Sequence, residues 1–152
     1  MPNAMPRTAG APSGNQARLA PMVQQLVDAI RCEARLVQEL IALQRQQREA
    51  IAADDLRAME DTTFGTQRVL CTLAEAHRLR CALNDHLGVV EHGALPDMFG
   101  ALEPAAAAVL RTERDRLMET TRVLVREVRA NRALLSVSLA KDRETVGSEP
   151  ER

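Results

Sequence analysis

An all-α fold of three long helices is the class this sequence predicts, and three observations carry the prediction. Apolar residues recur at helical spacing over three separate stretches. Only Phe64 and Phe99 are aromatic, so the core must be assembled from Leu, Ile, Val, Met and Ala, a set that suits helix seams better than sheets. Breaks strong enough to reverse the chain fall at Asp54-Asp55 and between Asn84 and Pro104. The length of 152 residues fits a single domain.

Residues 1–16, a mixture of Pro, Gly, Ala and Asn with little to bury, read as a disordered leader. Ser13 and Gln16 have capping-box spacing and Pro21 suits a first helical position, so the first helix starts between them. Leu19, Val23, Leu26, Ile30, Val37, Leu40 and Ile51 then fall on three- and four-residue steps, with Val27, Ala34 and Ile41 widening the stripe. Running to about Ala53, this helix is roughly 50 Å long and needs another long helix beside it. Its polar segment Gln44 to Glu49 reads as solvated.

Either Asp54 or Asp55 can cap a second helix, which forms an antiparallel hairpin with the first. That helix carries Leu56, Met59, Leu70, Leu73, Ala76, Leu83 and Leu87 on one face, a stripe that Thr63 and Thr66 weaken. Gly65 costs about 1 kcal/mol against Ala inside a helix and so marks either a close helix contact or a flexible point. A linker covers about 84–103, where Pro96-Asp97 can start one short turn carrying Met98, Phe99 and Leu102 over the end of the bundle.

Pro104 opens a third helix that reaches about Ala140. Leu110, Leu117, Leu124 and Asn131 are spaced by sevens, with Ala107, Thr121, Val128 and Leu135 complementary to them, which is a coiled-coil seam into which Arg114 intrudes. The helical domain is therefore 17–141, and the polar residues 142–152 form a disordered tail.

A net charge of −1 supplies no field to draw the molecule to nucleic acid or an anionic membrane. With neither a secretory leader nor an apolar run near the roughly 20 residues a membrane span needs, the chain reads as cytosolic. Cys32, Cys71 and Cys81 are odd in number and lack paired spacing, which fits reduced thiols. His77 and Cys81 lie four apart, with Asp85, His86 and His92 following, and all are zinc-ligand types. There is no second ordered pair and no C-x2-C, so neither a metal nor any other cofactor is expected.

No G-x-S-x-G turn, G-x-G-x-x-G or phosphate-binding loop is present, and no residue reads as catalytic. The chain is not expected to be an enzyme. Arg122, Arg126 and Arg129 are interleaved with Glu119 and Glu127 and read as a solvated face. A DNA-binding zipper would need its basic segment before the leucines, where this chain has Ala105 to Ala108.

Asn131 on the seam lowers stability and is tolerated where it fixes register or bonds a partner's backbone. Around it Val123, Val125, Val128, Leu134, Leu135, Val137 and Leu139 spread over more of the helix than one neighbour can cover. Surplus apolar surface of this kind is a binding strip or a dimer contact.

In order and spacing, these pieces resemble the FlgN family of flagellar type III export chaperones over roughly residues 19–140. The resemblance lies in the Leu-rich run from Leu26 to Ile51, the turn Ala53-Asp54-Asp55-Leu56, and the segment Asn131-Arg132-Ala133-Leu134-Leu135-Ser136-Val137-Ser138-Leu139. The chain departs from the family at Val128, where many relatives carry a second Asn. What the resemblance implies is a cytosolic chaperone that binds the C-terminal regions of hook-associated, hook-filament junction proteins. It would prevent their premature assembly and deliver them to the flagellar export apparatus. By the same resemblance the third helix bears the partner site, at Leu124, Val128, Asn131, Leu134, Leu135 and Leu139. The competing reading is a structural or regulatory coiled coil that homodimerises through Leu110, Leu117 and Leu124.

Overall fold

A computed structural model of the 152-residue chain describes residues 14–89 and 104–146. These form three helices, α1 (Gly14–Ala52), α2 (Leu56–Leu87) and α3 (Pro104–Val146), with no strand among the described residues. The predicted all-α class is therefore the one the chain adopts. α1 begins three residues inside the stretch assigned to the leader and takes Pro21 into its interior, where the missing N–H forfeits one helical bond. α3 extends past the expected end near Ala140, and α2 occupies the first four residues of the expected linker. The rest of the leader, the turn at Pro96 to Leu102 and the end of the tail lie outside the described residues.

The reversal between α1 and α2 uses both aspartates, each for a different task. Asp55 N–H donates to the Ala50 carbonyl at 3.0 Å and Asp54 N–H to that of Ile51 at 3.2 Å, which satisfies the last carbonyls of α1. This geometry puts Asp54 in the left-handed region with φ 52°, a conformation Asp tolerates better than most residues. Asp55 then caps α2 by accepting a 3.0 Å bond from Ala58 N–H. At the other end of α2 the same C-terminal motif recurs with Gly88 in the left-handed position and Val89 N–H bonded to the Asn84 carbonyl at 2.8 Å.

α1 is the central element. Both α2 and α3 pack along it and hardly on each other. Leu43 touches Gly65, while Glu33 meets His77 and Arg80, so α2 runs antiparallel to α1. Arg31 meets Glu113, Arg45 meets Glu127 and Arg48 meets Asn131 at sequence separations of 82, 82 and 83, so α3 runs parallel to α1 in a constant register. Val23, Leu26, Val27, Ile30, Leu87, Val89 and Leu110 form the main apolar cluster, where α1 and α3 start and α2 ends.

A Cβ on Gly65 would lie 3.0 Å from Leu43 Cδ2, so this glycine marks a close helix contact. Two expectations about faces need correction. On α2, Leu56 and Leu70 are exposed, and the face against α1 instead contains Thr62, Val69 and Arg80. On α1, the Gln44–Glu49 segment is not wholly solvated, because Gln44 is buried and Gln47 and Arg48 are half-buried.

Both corrections have one cause. The apolar stripe of α1 has gaps between Ile30 and Val37 and between Leu40 and Ile51, and Glu33 and Gln44 occupy seam positions in those gaps. Each is buried because a polar group on the facing helix meets it. Glu33 forms a buried ion pair with Arg80 and lies 3.1 Å from His77 Nδ1. Gln44 meets Asn131. Among the described residues no helix is long and apolar enough to cross a membrane.

Candidate functional site

α3 is held to α1 by different chemistry along its length. Near its start, Ala107 and Leu110 are buried and Leu117 packs on the main apolar cluster. Leu110 is thus enclosed within one chain, Leu117 is half-buried beside it, and this end of the sevenfold seam faces α1. Thr121, placed on that seam by the sequence pattern, is exposed. Glu113 follows, buried, and accepts a 2.8 Å bond from Arg31 Nε.

Further along, the contact becomes a polar cluster. Glu127 accepts from Arg45 Nε at 3.1 Å and from Arg48. Hydrogen bonds from Arg48 and then Arg45 hold its carboxyl below the ordinary carboxylate range. Asn131 is only 3% exposed. Its Nδ2 donates to the Gln44 carbonyl at 2.7 Å and lies 3.2 Å from Gln44 Oε1, while its Oδ1 accepts from Arg48 Nε at 3.0 Å. The backbone that Asn131 bonds is therefore that of α1, and its polar atoms fix the α1–α3 register.

The other sequence-predicted site residues gather around Asn131. Leu124, Val128, Leu134 and Leu135 are half-buried, and Leu139 is 59% exposed. Extending the constant register places Ala52, the last residue of α1, beside Leu134. α3 continues to Val146, so about 12 residues, or roughly 18 Å, project past the end of α1. Val137 and Leu139 lie exposed on this projection, and Met118 and Val125 are exposed nearer the middle of α3.

Sequence reasoning missed Gln44, Arg48 and Glu127 as the groups that hold this half of α3. The available signal was the polar gap in the α1 stripe, four residues from Leu40.

The histidine and cysteine constellation makes contacts between α1 and α2 and within α2. His77 Nδ1 lies between Glu33 Oε1 and Arg80 Nη2, and Nε2 is 3.5 Å from Cys81 Sγ. Among the described residues no group of three or more His, Cys, Asp or Glu is placed to hold a metal ion, and His92 lies outside them. A cleft of about 440 Å³ between α1 and α3 is lined mainly by Asp28, Arg31, Arg35, Gln38, Glu113 and Arg116. It contains no His, Cys or Ser to act as a nucleophile.

The family model described as FlgN protein matches residues 22–146, a span that takes in α2 and α3 whole and all of α1 except its first eight residues. Comparison with curated proteins and with solved structures gave no significant match.

Proposed function

The chain belongs to the FlgN family, and on that premise we propose that it is a flagellar export chaperone. It binds the C-terminal regions of hook-associated proteins in the cytoplasm, keeps them from assembling early and passes them to the flagellar export apparatus. No catalytic step is part of this role, which works by occupancy. A terminal helix meant for filament contacts has an apolar face, and a helical strip can cover it until export.

The observation that carries the reading is the distal half of α3. It presents Leu124, Val128, Leu134, Leu135 and Leu139 around a buried Asn131 and projects beyond the helix that supports it. On this reading those five side chains meet the client, and Asn131 fixes the helix from below. Affinity is moderate, because ordering a disordered client has an entropic cost and the complex must later release.

Titration calorimetry of the purified chain against C-terminal fragments of hook-associated proteins from the same organism tests it. Saturable one-to-one binding is expected, with loss of binding but little loss of helicity in the L134A/L135A double variant. Absence of heat with every fragment would remove the chaperone reading. Binding that survives the double variant would move the site away from the end of α3.

A further inference from the structure

The outer side of α3 carries a pattern distinct from the seam on α1. Met118, Val125 and Leu139 are 41%, 43% and 59% exposed and lie on one line at intervals of 7 and 14 residues. Arg132 occupies the remaining sevenfold position on that line. Arg122 and Arg129 stand one turn beyond Met118 and Val125, at i,i+4 spacing, and so border the line.

The charges here are not balanced. From Met118 to Arg143 there are six basic residues against three acidic ones, and one of the acidic three, Glu127, is turned to α1. Glu119 lies 3.4 Å from Arg122 and 3.7 Å from Arg126. Arg129 and Arg132 are exposed and have no ion pair among the described residues. A narrow apolar line therefore runs along the flank that α1 leaves open, accompanied by Arg122, which shares Glu119 with Arg126, and by Arg129 and Arg132, which have no such carboxylate among the described residues.

We propose that this flank docks an acidic amphipathic helix. Such a helix would place apolar side chains, seven residues apart, against Met118, Val125 and Leu139. Its Asp or Glu side chains would flank them and meet Arg122, Arg129 and Arg132. The inference deepens the proposed function and rests on it, since it names the chemistry of the segment that the chaperone takes.

Sevenfold spacing on a straight helix matches another helix rather than an extended peptide. Guanidinium groups bind carboxylates through paired hydrogen bonds, and complementary fields steer the encounter. An anionic lipid surface fits less well. Three apolar side chains in single file, with Arg132 between them, are too narrow a face to sink into the acyl boundary, and the opposite side of α3 is fixed to α1.

The test uses the full chain and fluorescence anisotropy with two labelled helix-forming peptides. Both carry Leu at every seventh position, one with Glu flanks and one with Lys flanks. The acidic peptide is expected to bind about tenfold or more tightly than the basic one at low salt, with the preference shrinking as salt rises. R129E/R132E should reverse the preference while leaving helicity and Tm unchanged, because neither side chain has an ion-pair partner among the described residues.

Equal affinity for the two peptides, or no effect of R129E/R132E, would overturn the proposal. So would binding to phosphatidylserine vesicles in the absence of peptide binding. A hook-associated C-terminal fragment, titrated in parallel, separates the two levels of the argument. A fragment that binds R129E/R132E as well as wild type overturns the docking chemistry and leaves the chaperone reading standing. A charge-dependent acidic peptide with no fragment bound supports the docking chemistry and overturns the choice of client.

Discussion

Replacing Asn131 with Ala separates an internal anchor from a partner contact. The side chain is 3% exposed and makes close bonds to the Gln44 carbonyl at 2.7 Å and from Arg48 Nε at 3.0 Å, with Gln44 Oε1 a further 3.2 Å contact. A neutral bond contributes about 0.5–1.5 kcal/mol net and one with a charged partner about 1.5–3 kcal/mol. Arg48 keeps Glu127, and the Gln44 carbonyl keeps its place in α1, so part of that total is recovered in the variant. A net cost of about 2–3 kcal/mol follows, which for a chain of this size lowers Tm by roughly 5–10 °C.

Urea unfolding followed by circular dichroism at 222 nm measures it, with a lower midpoint and an unchanged slope as the expected result. A Q44A/N131A double-mutant cycle should show coupling of about 0.5 kcal/mol or more. A variant within about 0.5 kcal/mol of wild type would refute the anchoring argument. If that same variant lost client binding, Asn131 would belong to the partner surface instead.

Three other perturbations probe the features that set the fold. R80M leaves Glu33 buried without its guanidinium and should cost about 3–5 kcal/mol, most of which E33L/R80M recovers; urea midpoints of the three proteins decide this. At the reversal, D54G should raise stability by about 0.5–1 kcal/mol by relieving the left-handed backbone. D55A should lower it by about 1 kcal/mol by removing the cap, so thermal melts of these adjacent substitutions should shift in opposite directions. Glu127 has its carboxyl held below the ordinary value of 4.5, so its stabilising contribution is present above that value and is lost as pH falls through the folded-state value. The midpoint gap between wild type and E127Q should therefore be steady near neutrality and close on acidification below about pH 4.5; a gap that widens there would contradict the ion pairs.

The helices were legible in the sequence because their apolar periodicity is long and their breaks are chemically strong. Asp54-Asp55 and Gly88 are the residues a reversal and a helix stop require, and each occupies its predicted kind of position. The faces were less legible. A stripe defined by apolar residues alone drew Leu56 and Leu70 of α2 toward α1, whereas the continuous series at three- and four-residue steps is Met59, Thr62, Thr66, Val69, Leu73, Ala76, Arg80, Leu83 and Leu87. Hydropathy could not place Arg80 inside, because its burial depends on Glu33 facing it, nor Thr62, whose hydroxyl is satisfied by the Ala58 and Met59 carbonyls of its own helix. Glu33 and Arg80 are each unfavourable in isolation and acceptable together, and their pairing is decided by register between helices. Asn131 was legible as a seam residue for the opposite reason: its neighbours at sevenfold spacing are leucines.

The same distinction bears on how the distal half of α3 is held. Its proximal half is tied down mainly by Leu110 and Ala107 in an apolar core, which is indifferent to small rotations of the helix, with the single Arg31–Glu113 bond beside it. The distal half is tied by Glu127 and Asn131 to Arg45, Arg48 and Gln44, a directional set that permits only one register and one rotation. Apolar packing strong enough to hold this half would have had to use Leu134, Leu135 or Leu139. Anchoring through polar atoms instead leaves those leucines on or near the surface while still fixing which way they face. On the proposed function, that arrangement suits a helix that stays on its own bundle and also offers an apolar strip to another chain.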